Sequence, residues 1–295
     1  MTIFNLGSIN IDHFYRLPHL PLPGETLAAL SYRRGLGGKG ANQSVAAARA
    51  GADLRHIGAV GTDGRWMVAR LGELGVDCTH VAEVAEASGH AIINIDEAGE
   101  NAIVLYPGAN RAIPAAAVQK ALGQAGPGDW LILQNETTLQ AEAARFAREQ
   151  GLFVAYSAAP FDAGAVRAVL PHVTHLLVNE VEAAQLCAAL ETGLPDLPVP
   201  YLVMTLGARG AVWQDRAAGT RIEVPALPVA PVDTTAAGDT FAGYLIAALA
   251  EGMPTDGAMH LAAAAAALKV TRPGTADAIP ARAEVAAFMA AQPSA

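Results

Sequence analysis

Apolar runs of strand length alternate with stretches of helical spacing along most of the chain. Residues 3–6 predict a strand that leads into Gly7 and Ser8, and residues 41–50 a helix of small residues stopped by Gly51. Residues 54–60 predict the next strand, and 65–74 a helix stopped by Gly75. Strands follow at 130–133, 153–156, 175–178 and 201–205, with helices at 139–149 and 180–189 between them. This alternation implies an α/β fold, a mostly parallel sheet covered by helices on both faces. Two helices, roughly 237–251 and 254–270, occupy the C-terminal part.

Two regions break the alternation. Residues 11–34 hold a short strand, a turn rich in proline (Pro18, Pro21, Pro23, then Gly24) and a second strand. Residues 91–95 and 101–106 are strands joined by Asp96-Glu97-Ala98-Gly99-Glu100, a hairpin signal. They predict a small antiparallel sheet, built from segments 11–35 and 88–106, that projects as a lid from a single domain spanning 1–295. Its apolar face needs cover from substrate, from the main body or from another subunit.

Composition narrows the function. Hydrophobic residues make up 52% of the 295 and charged residues 16%, so a large core is available and disorder is not expected. The formal net charge of −9 argues against a broad nucleic-acid or anionic-membrane surface, while leaving room for a local anion site built from backbone N–H groups. The two cysteines, Cys78 and Cys187, have no metal-ligand spacing. The start MTIFNLGSIN reads as a strand and lacks a basic segment followed by a long apolar run, so a cytoplasmic protein is expected. The apolar stretch 261–268 is too short to span a bilayer.

Four groups of residues carry candidate chemistry. In Asp233-Thr234-Thr235-Ala236-Ala237-Gly238-Asp239-Thr240-Phe241, small residues precede a helix and leave its first N–H groups open to a phosphate. Asp239 in the first turn would face an incoming hydroxyl and accept its proton. An ordinary acidic residue at the start of an Ala-rich helix fits the same pattern. Gly35-Leu36-Gly37-Gly38-Lys39-Gly40-Ala41-Asn42-Gln43 is not a Walker loop, but its glycines allow close approach and Lys39 and Asn42 can bind hydroxyls. A glycine-rich turn before a helix is the plain alternative. Asn10 and Asp12 lie on one side of an extended segment and could grip vicinal hydroxyls, or serve only as turn and cap residues. Asn179 and Glu182, after the strand 175–178, fit both a helix cap and a ligand site at the carboxyl end of a parallel strand. There a carboxylate near ATP could hold the hydration shell of Mg2+.

Together these runs resemble the PfkB carbohydrate-kinase family, and within it the ribokinase branch. The runs are GSINID (7–12), PGET (23–26), GGKGANQ (37–43), GAN (108–110), NEVE (179–182), TLGARG (205–210) and DTTAAGDTF (233–241), in the family's order and over nearly the whole chain. The resemblance implies a ribokinase-like three-layer sandwich with a β-lid that often supports a homodimer, and transfer of the ATP γ-phosphate to a sugar hydroxyl. Carried over by position, Asp239 is the base, and Ala236, Ala237 and Gly238 form the anion hole. Asn10, Asp12, Gly38, Lys39, Asn42 and Glu136 match sugar-binding positions. Asn179, Thr205, Gly207 and Gly210 match positions beside the nucleotide, and Glu182 one that organises Mg2+. A potassium site is implied at Asp233, Thr235, Lys269, Arg272 and Gly274, mostly through backbone carbonyls, so that side-chain identity there should matter little. Two positions depart from the family pattern. Ala278 replaces a hydroxyl that often helps the cation, and Ala263 a polar residue near the adenine.

The expected acceptor is the 5-hydroxyl of D-ribose, because Asn10, Asp12, Lys39, Asn42 and Glu136 are rich in hydroxyl-binding groups. Deoxyribose, a ketohexose or a nucleoside are the alternatives. A nucleoside would need an apolar wall, and the lid has few aromatics beyond Phe14, Tyr15 and Tyr32. A non-catalytic sugar-binding protein would have lost the base or the anion hole, and both motifs are present.

Overall fold

The computed structural model describes residues 1–292. The strands, in chain order, are β1 (Thr2–Leu6), β2 (Asn10–Arg16), β3 (Ser31–Gly37), β4 (Asp53–Val60), β5 (Asp77–Glu83), β6 (Gly89–Ile95), β7 (Asn101–Tyr106), β8 (Trp130–Gln134), β9 (Phe153–Ser157), β10 (His175–Asn179), β11 (Tyr201–Thr205), β12 (Ala211–Asp215) and β13 (Thr220–Val224). The helices are α1 (Lys39–Arg49), α2 (Arg65–Glu73), α3 (Ala115–Leu122), α4 (Gln140–Glu149), α5 (Ala163–Val169), α6 (Glu180–Leu190), α7 (Ala237–Ala250), α8 (Thr255–Val270) and α9 (Arg282–Ala290).

The main sheet has nine strands in the order β13-β12-β11-β10-β9-β8-β1-β4-β5. It is parallel from β11 to β5, and β12 and β13 add an antiparallel edge. Strand β1 shows how the layers arise. Ile3 enters the core beneath α1, α7 and α8, whereas Phe4 and Leu6 enter the core beneath α3 to α6, as a side-chain period of two requires. Asn5 shares the face of Ile3 yet is polar and fully buried.

Helix α7 is apolar all round and buried along nearly its whole length, which suits a helix packed on every side. Gly243 sets how close α1 comes. A Cβ there would lie 2.5 Å from the Ala46 Cβ and 2.6 Å from the Gln43 carbonyl oxygen.

The second sheet, in the order β3-β2-β6-β7, is the lid. Each chain excursion is an antiparallel pair, as expected, but β2 and β6 join them in parallel. The lid is therefore mixed, because both excursions leave the main body in the same direction. Phe14, Ala91 and Ile93 form its own small core, with the Arg33 guanidinium 3.6 Å over the Phe14 ring. Every residue of β7 is exposed, including Ile103, Val104 and Leu105.

The expected strands and helices are present to within a residue or two, and one of the small shifts has a visible cause. Leu139 has φ 64°, so α4 starts one residue later than its apolar pattern suggests. Strands β5, β12 and β13 and helices α3, α5 and α9 carried no clear expectation. Strands β5 and β13 lie at the sheet's two edges and are largely half-buried or exposed, so they lack a continuous apolar run.

Candidate active site

The site is assembled at the carboxyl ends of the parallel strands, where loops after β1, β8, β10 and β11 converge on the N-terminus of α7. A cleft of about 210 Å3 is lined by Lys39, Gln43, Ser157, Asn179, Glu182 and Thr205, by Thr234, and by the residues from Ala236 to Asp239. It thus brings the lysine expected near the sugar, the proposed base and two of the residues expected near the nucleotide, Asn179 and Thr205, into one space, while Gly207 and Gly210 do not line it.

Asp239 is the third residue of α7, and its carboxylate is held from both sides by α1. Asn42 Nδ2 donates to Oδ2 at 3.0 Å, and Gln43 Nε2 donates to Oδ1 at 3.0 Å. Ala236, the residue before the helix, has φ 61°, a left-handed conformation that turns the chain sharply into α7. The Ala237 N–H donates to Thr234 O at 3.2 Å. Gly238 lines the cleft, and a Cβ there would meet only open space.

The residues expected to bind sugar surround Lys39. Gly38 has φ 93°, and a Cβ there would lie 2.9 Å from Ser8 O, so the tight turn into α1 requires glycine. The Lys39 N–H donates to Glu136 Oε2 at 3.2 Å, and the Ser8 hydroxyl donates to the same oxygen. Asn10 and Asp12 are buried at the root of the lid. Asn10 Oδ1 accepts from Asn110 Nδ2 at 2.7 Å, while Asn110 Oδ1 accepts from the Ile9 N–H at 2.9 Å. Asp12 receives a long contact from the Thr275 hydroxyl, 3.4 Å.

Burial and crowding perturb these groups. Desolvation pushes the Asp12 carboxyl up to about 7, against the Thr275 hydroxyl and Arg33, with Glu136 and Asp239 adding to the rise. Burial also raises Glu136, partly offset by Lys39 and Ser8. Asp239 raises the Lys39 ammonium above its ordinary value despite burial, so this lysine is the cation among three carboxyl groups.

On the opposite side, Asn179 and Glu182 form a reciprocal capping box. Glu182 N–H donates to Asn179 Oδ1 at 2.8 Å, and Asn179 N–H donates to Glu182 Oε2 at 2.9 Å. The cap thus uses one oxygen of each side chain, leaving the Asn179 amide NH2 and Glu182 Oε1 for a ligand. Burial raises the Glu182 carboxyl. Thr205 closes β11 at the cleft wall. Gly207 (φ 58°) and Gly210 (φ 100°) shape the turn that follows, and a Cβ on Gly210 would lie 2.0 Å from Val224 O.

The residues expected to hold potassium are brought together, but one of them fills a different role. Asp233 Oδ1 accepts from the Thr235 N–H and Oδ2 from the Gly274 N–H, each at 2.9 Å. Burial would raise this carboxyl, but these bonds and Lys269 hold it below its ordinary value. The Asp233 carbonyl accepts from the Lys269 ammonium at 2.9 Å, and the Lys269 carbonyl accepts from the Arg272 N–H at 2.9 Å. Arg272 itself points to Glu284. Lys269 thus meets the loop through its side chain, and not only through its backbone.

Other groups carried no expectation. Gln43 stood in the glycine-rich run without a role, yet it touches the proposed base. Behind it runs a buried polar chain. Gln134 Nε2 donates to Gln43 Oε1 (2.8 Å) and to Asn5 Oδ1 (2.9 Å), Asn5 Nδ2 donates to Gly40 O and Ser44 Oγ (both 2.9 Å), and Ser44 Oγ meets His56 Nδ1 at 2.7 Å. The available signal was Asn5, a polar residue in the middle of the apolar strand IFNL.

Comparison with known proteins agrees with this geometry. The pfkB family carbohydrate kinase profile matches residues 2–282. A ribokinase of Haemophilus influenzae is 36% identical over 302 residues, covering 98% of each sequence. Among solved structures, ribokinase from Cryptococcus neoformans in complex with ADP superposes with a TM-score of 0.86 at 30% identity, covering 97% of this chain and 98% of that one. Arabidopsis thaliana ribokinase complexed with ribose and ATP superposes with a TM-score of 0.84 at 26% identity, covering 98% of both. The chain belongs to the pfkB family of carbohydrate kinases.

Proposed function

We propose that this protein is an ATP-dependent ribokinase that transfers the γ-phosphate to the 5-hydroxyl of D-ribose. The observation that carries the reading is the placement of Asp239. It stands in the first turn of α7, in the same cleft as Lys39, Asn179 and Gly238, and is gripped by Asn42. Asn10, Asp12, Gly38, Lys39, Asn42 and Glu136 bind the sugar hydroxyls and hold the 5-oxygen against Asp239. Asp239 takes the hydroxyl proton as the oxygen attacks phosphorus. The amides at 236–238 and the positive end of α7 stabilise the charge that develops on the transferring group.

Asn179, Thr205, Gly207 and Gly210 line the nucleotide. Glu182 has a carboxylate oxygen outside its cap and lies in the cleft, which suits the hydration shell of Mg2+. When bound, that ion neutralises charge on the nucleotide phosphates. The lid, residues 11–35 and 88–106 of a single domain spanning 1–295, excludes water when it closes. The exposed apolar residues of β7, at the lid's edge, support a homodimer formed through the lid. No helix among the described residues is long and apolar enough to cross a membrane, and a cytoplasmic location is part of the proposal.

A panel of sugars and nucleosides with coupled ADP detection tests the substrate. Ribose should be turned over best, and turnover of deoxyribose, a hexose or a nucleoside without ribose would refute the assignment. In the same assay Asp239→Asn should lower kcat by about 10²- to 10⁴-fold, the usual share of a general base, while calorimetry still detects ribose binding. An undiminished rate in this variant would remove Asp239 as the base.

A further inference from the structure

The loop that leads into the anion hole is tied to the C-terminal end of α8. The N–H groups of Val232 and Asp233 donate to Val270 O at 2.7 and 3.0 Å. Gly274 N–H reaches the Asp233 carboxylate, and Lys269 Nζ reaches the Asp233 carbonyl. Lys269 is a full-length lysine with 0% exposure, placed in a helix whose preceding turn is almost all alanine. Lysine is almost never buried so completely unless its charge is partnered. Here the partner is the Asp233 carbonyl at 2.9 Å, and although burial lowers the ammonium's pKa, the nearby charges of Asp233 and Asp239 work against that fall.

The implied potassium site fails a direct test of fit. The Asp233 carbonyl that would face the ion already faces an ammonium at 2.9 Å. A second cation beside that ammonium would be repelled in a buried setting. Ala278, in the adjoining turn, offers no side-chain oxygen. The ammonium carries the same charge as potassium, is of similar size, and links the same two segments, the loop before α7 and the end of α8.

We propose that Lys269 is a built-in monovalent cation that fixes the anion-hole loop, and that this kinase therefore needs no potassium for activity. Lys269 acts as a positioning residue, because it touches the loop and not the substrate. The inference rests on the kinase reading above and is tested separately from it.

The experiment measures ribose-dependent ADP release in potassium chloride against tetramethylammonium chloride at equal ionic strength. The parent protein should show rates within about twofold in the two salts. Lys269→Ala removes the ammonium and opens space for an ion. Its rate should fall about tenfold or more without potassium, as expected for loss of a charge-assisted contact, and should recover when potassium is added. Lys269→Met fills the space without the charge, so its rate should be low in both salts. Potassium should also raise the thermal midpoint of Lys269→Ala and leave that of the parent unchanged.

Strong activation of the parent by potassium would overturn the proposal, and so would full activity of Lys269→Ala without potassium. If the alanine variant does not fold, the parent's salt response and the methionine variant decide the matter. Absence of turnover by the parent in every salt would instead refute the kinase reading.

Discussion

Replacing Gln43 by leucine tests how the base is held. Gln43 is almost fully buried in α1, and its side chain meets Asp239 Oδ1 at 3.0 Å through an N–H. The polar chain behind it fixes which end of the amide faces the carboxylate. His56 Nε2 lies 3.1 Å from the Gly7 carbonyl, which only accepts, so Nε2 carries the proton. Its Nδ1 then accepts from the Ser44 hydroxyl. Burial holds this imidazole at about 4, so the neutral ring is the form present. Asn5 must turn its NH2 to the Gly40 carbonyl, which leaves its oxygen for Gln134. Gln134 in turn donates to Gln43 Oε1, so Gln43 has only its NH2 to offer Asp239. Two backbone carbonyls thus set the polarity of the whole chain.

Gln43→Leu keeps the volume close to that of the parent and removes the donor. Asn42 still holds Oδ2, and Gln134 still has Asn5 as a partner, so the loss falls on the orientation of Oδ1. A hydrogen bond to a charged group contributes about 1.5–3 kcal/mol, so kcat should fall about 10- to 150-fold. Gln43 is not among the sugar-binding groups, so ribose affinity measured by calorimetry should stay within about threefold of the parent. A kcat within about twofold of the parent would refute the reasoning. So would a fall in kcat matched by an equal loss of ribose affinity, because that pattern marks general disruption and not misorientation of the base.

Two further predictions concern protonation and packing. Asp12 is lifted from 3.8 to about 7 by burial, so between about pH 4 and pH 7 it holds a proton that the unfolded chain has lost. Its contribution to stability is full below about pH 4 and declines as pH rises towards 7, where both states become ionised. With ionised Asp12 as the form that accepts sugar hydroxyls, ribose KM should rise about tenfold between pH 8 and pH 6, and a flat KM over that range would refute the role. Gly243→Ala would place its Cβ 2.5 Å from the Ala46 Cβ and 2.6 Å from Gln43 O. The resulting overpacking should cost about 1–3 kcal/mol, seen as a thermal midpoint lowered by several degrees, and an unchanged midpoint would show that α1 and α7 separate freely.

Much of the architecture was legible because the main sheet is parallel. Strands β1, β8, β9, β10 and β11 are buried on both faces and read as short apolar runs, and glycines end the helices between them. The lid was legible through its turns, but the parallel pairing of β2 with β6 joins residues about 80 apart and leaves no local mark. That Asp239 and Lys39 would share a cleft with Asn179 was readable from motif and family likeness together. Asn179 and Glu182 show why motif alone did not separate cap from ligand site, since the capping box is formed and still leaves donor and acceptor atoms facing the cleft.

Gln43, which carried no expected role, and Lys269, expected to act through its backbone carbonyl, make side-chain contacts that went unread for one physical reason. Each acts through a partner far away in sequence, Gln43 on Asp239 and Lys269 on the carbonyl of Asp233. Local spacing cannot report such a contact. Nor does residue type single them out, since a glutamine and a lysine near helix ends usually face solvent. Their placement gives the site its logic. In the proposed mechanism helix α7 carries both the base and the anion hole, so its first turn must hold still while charge moves across it. Helix α1 fixes the base from one side through Asn42 and Gln43, and the end of α8 fixes the loop entering α7 from the other through Lys269 and Val270. Loosening α1 should therefore misdirect the proton acceptor, whereas loosening α8 should spoil the phosphate cradle. Only the second defect should respond to an added cation, because only there does the missing group carry a positive charge.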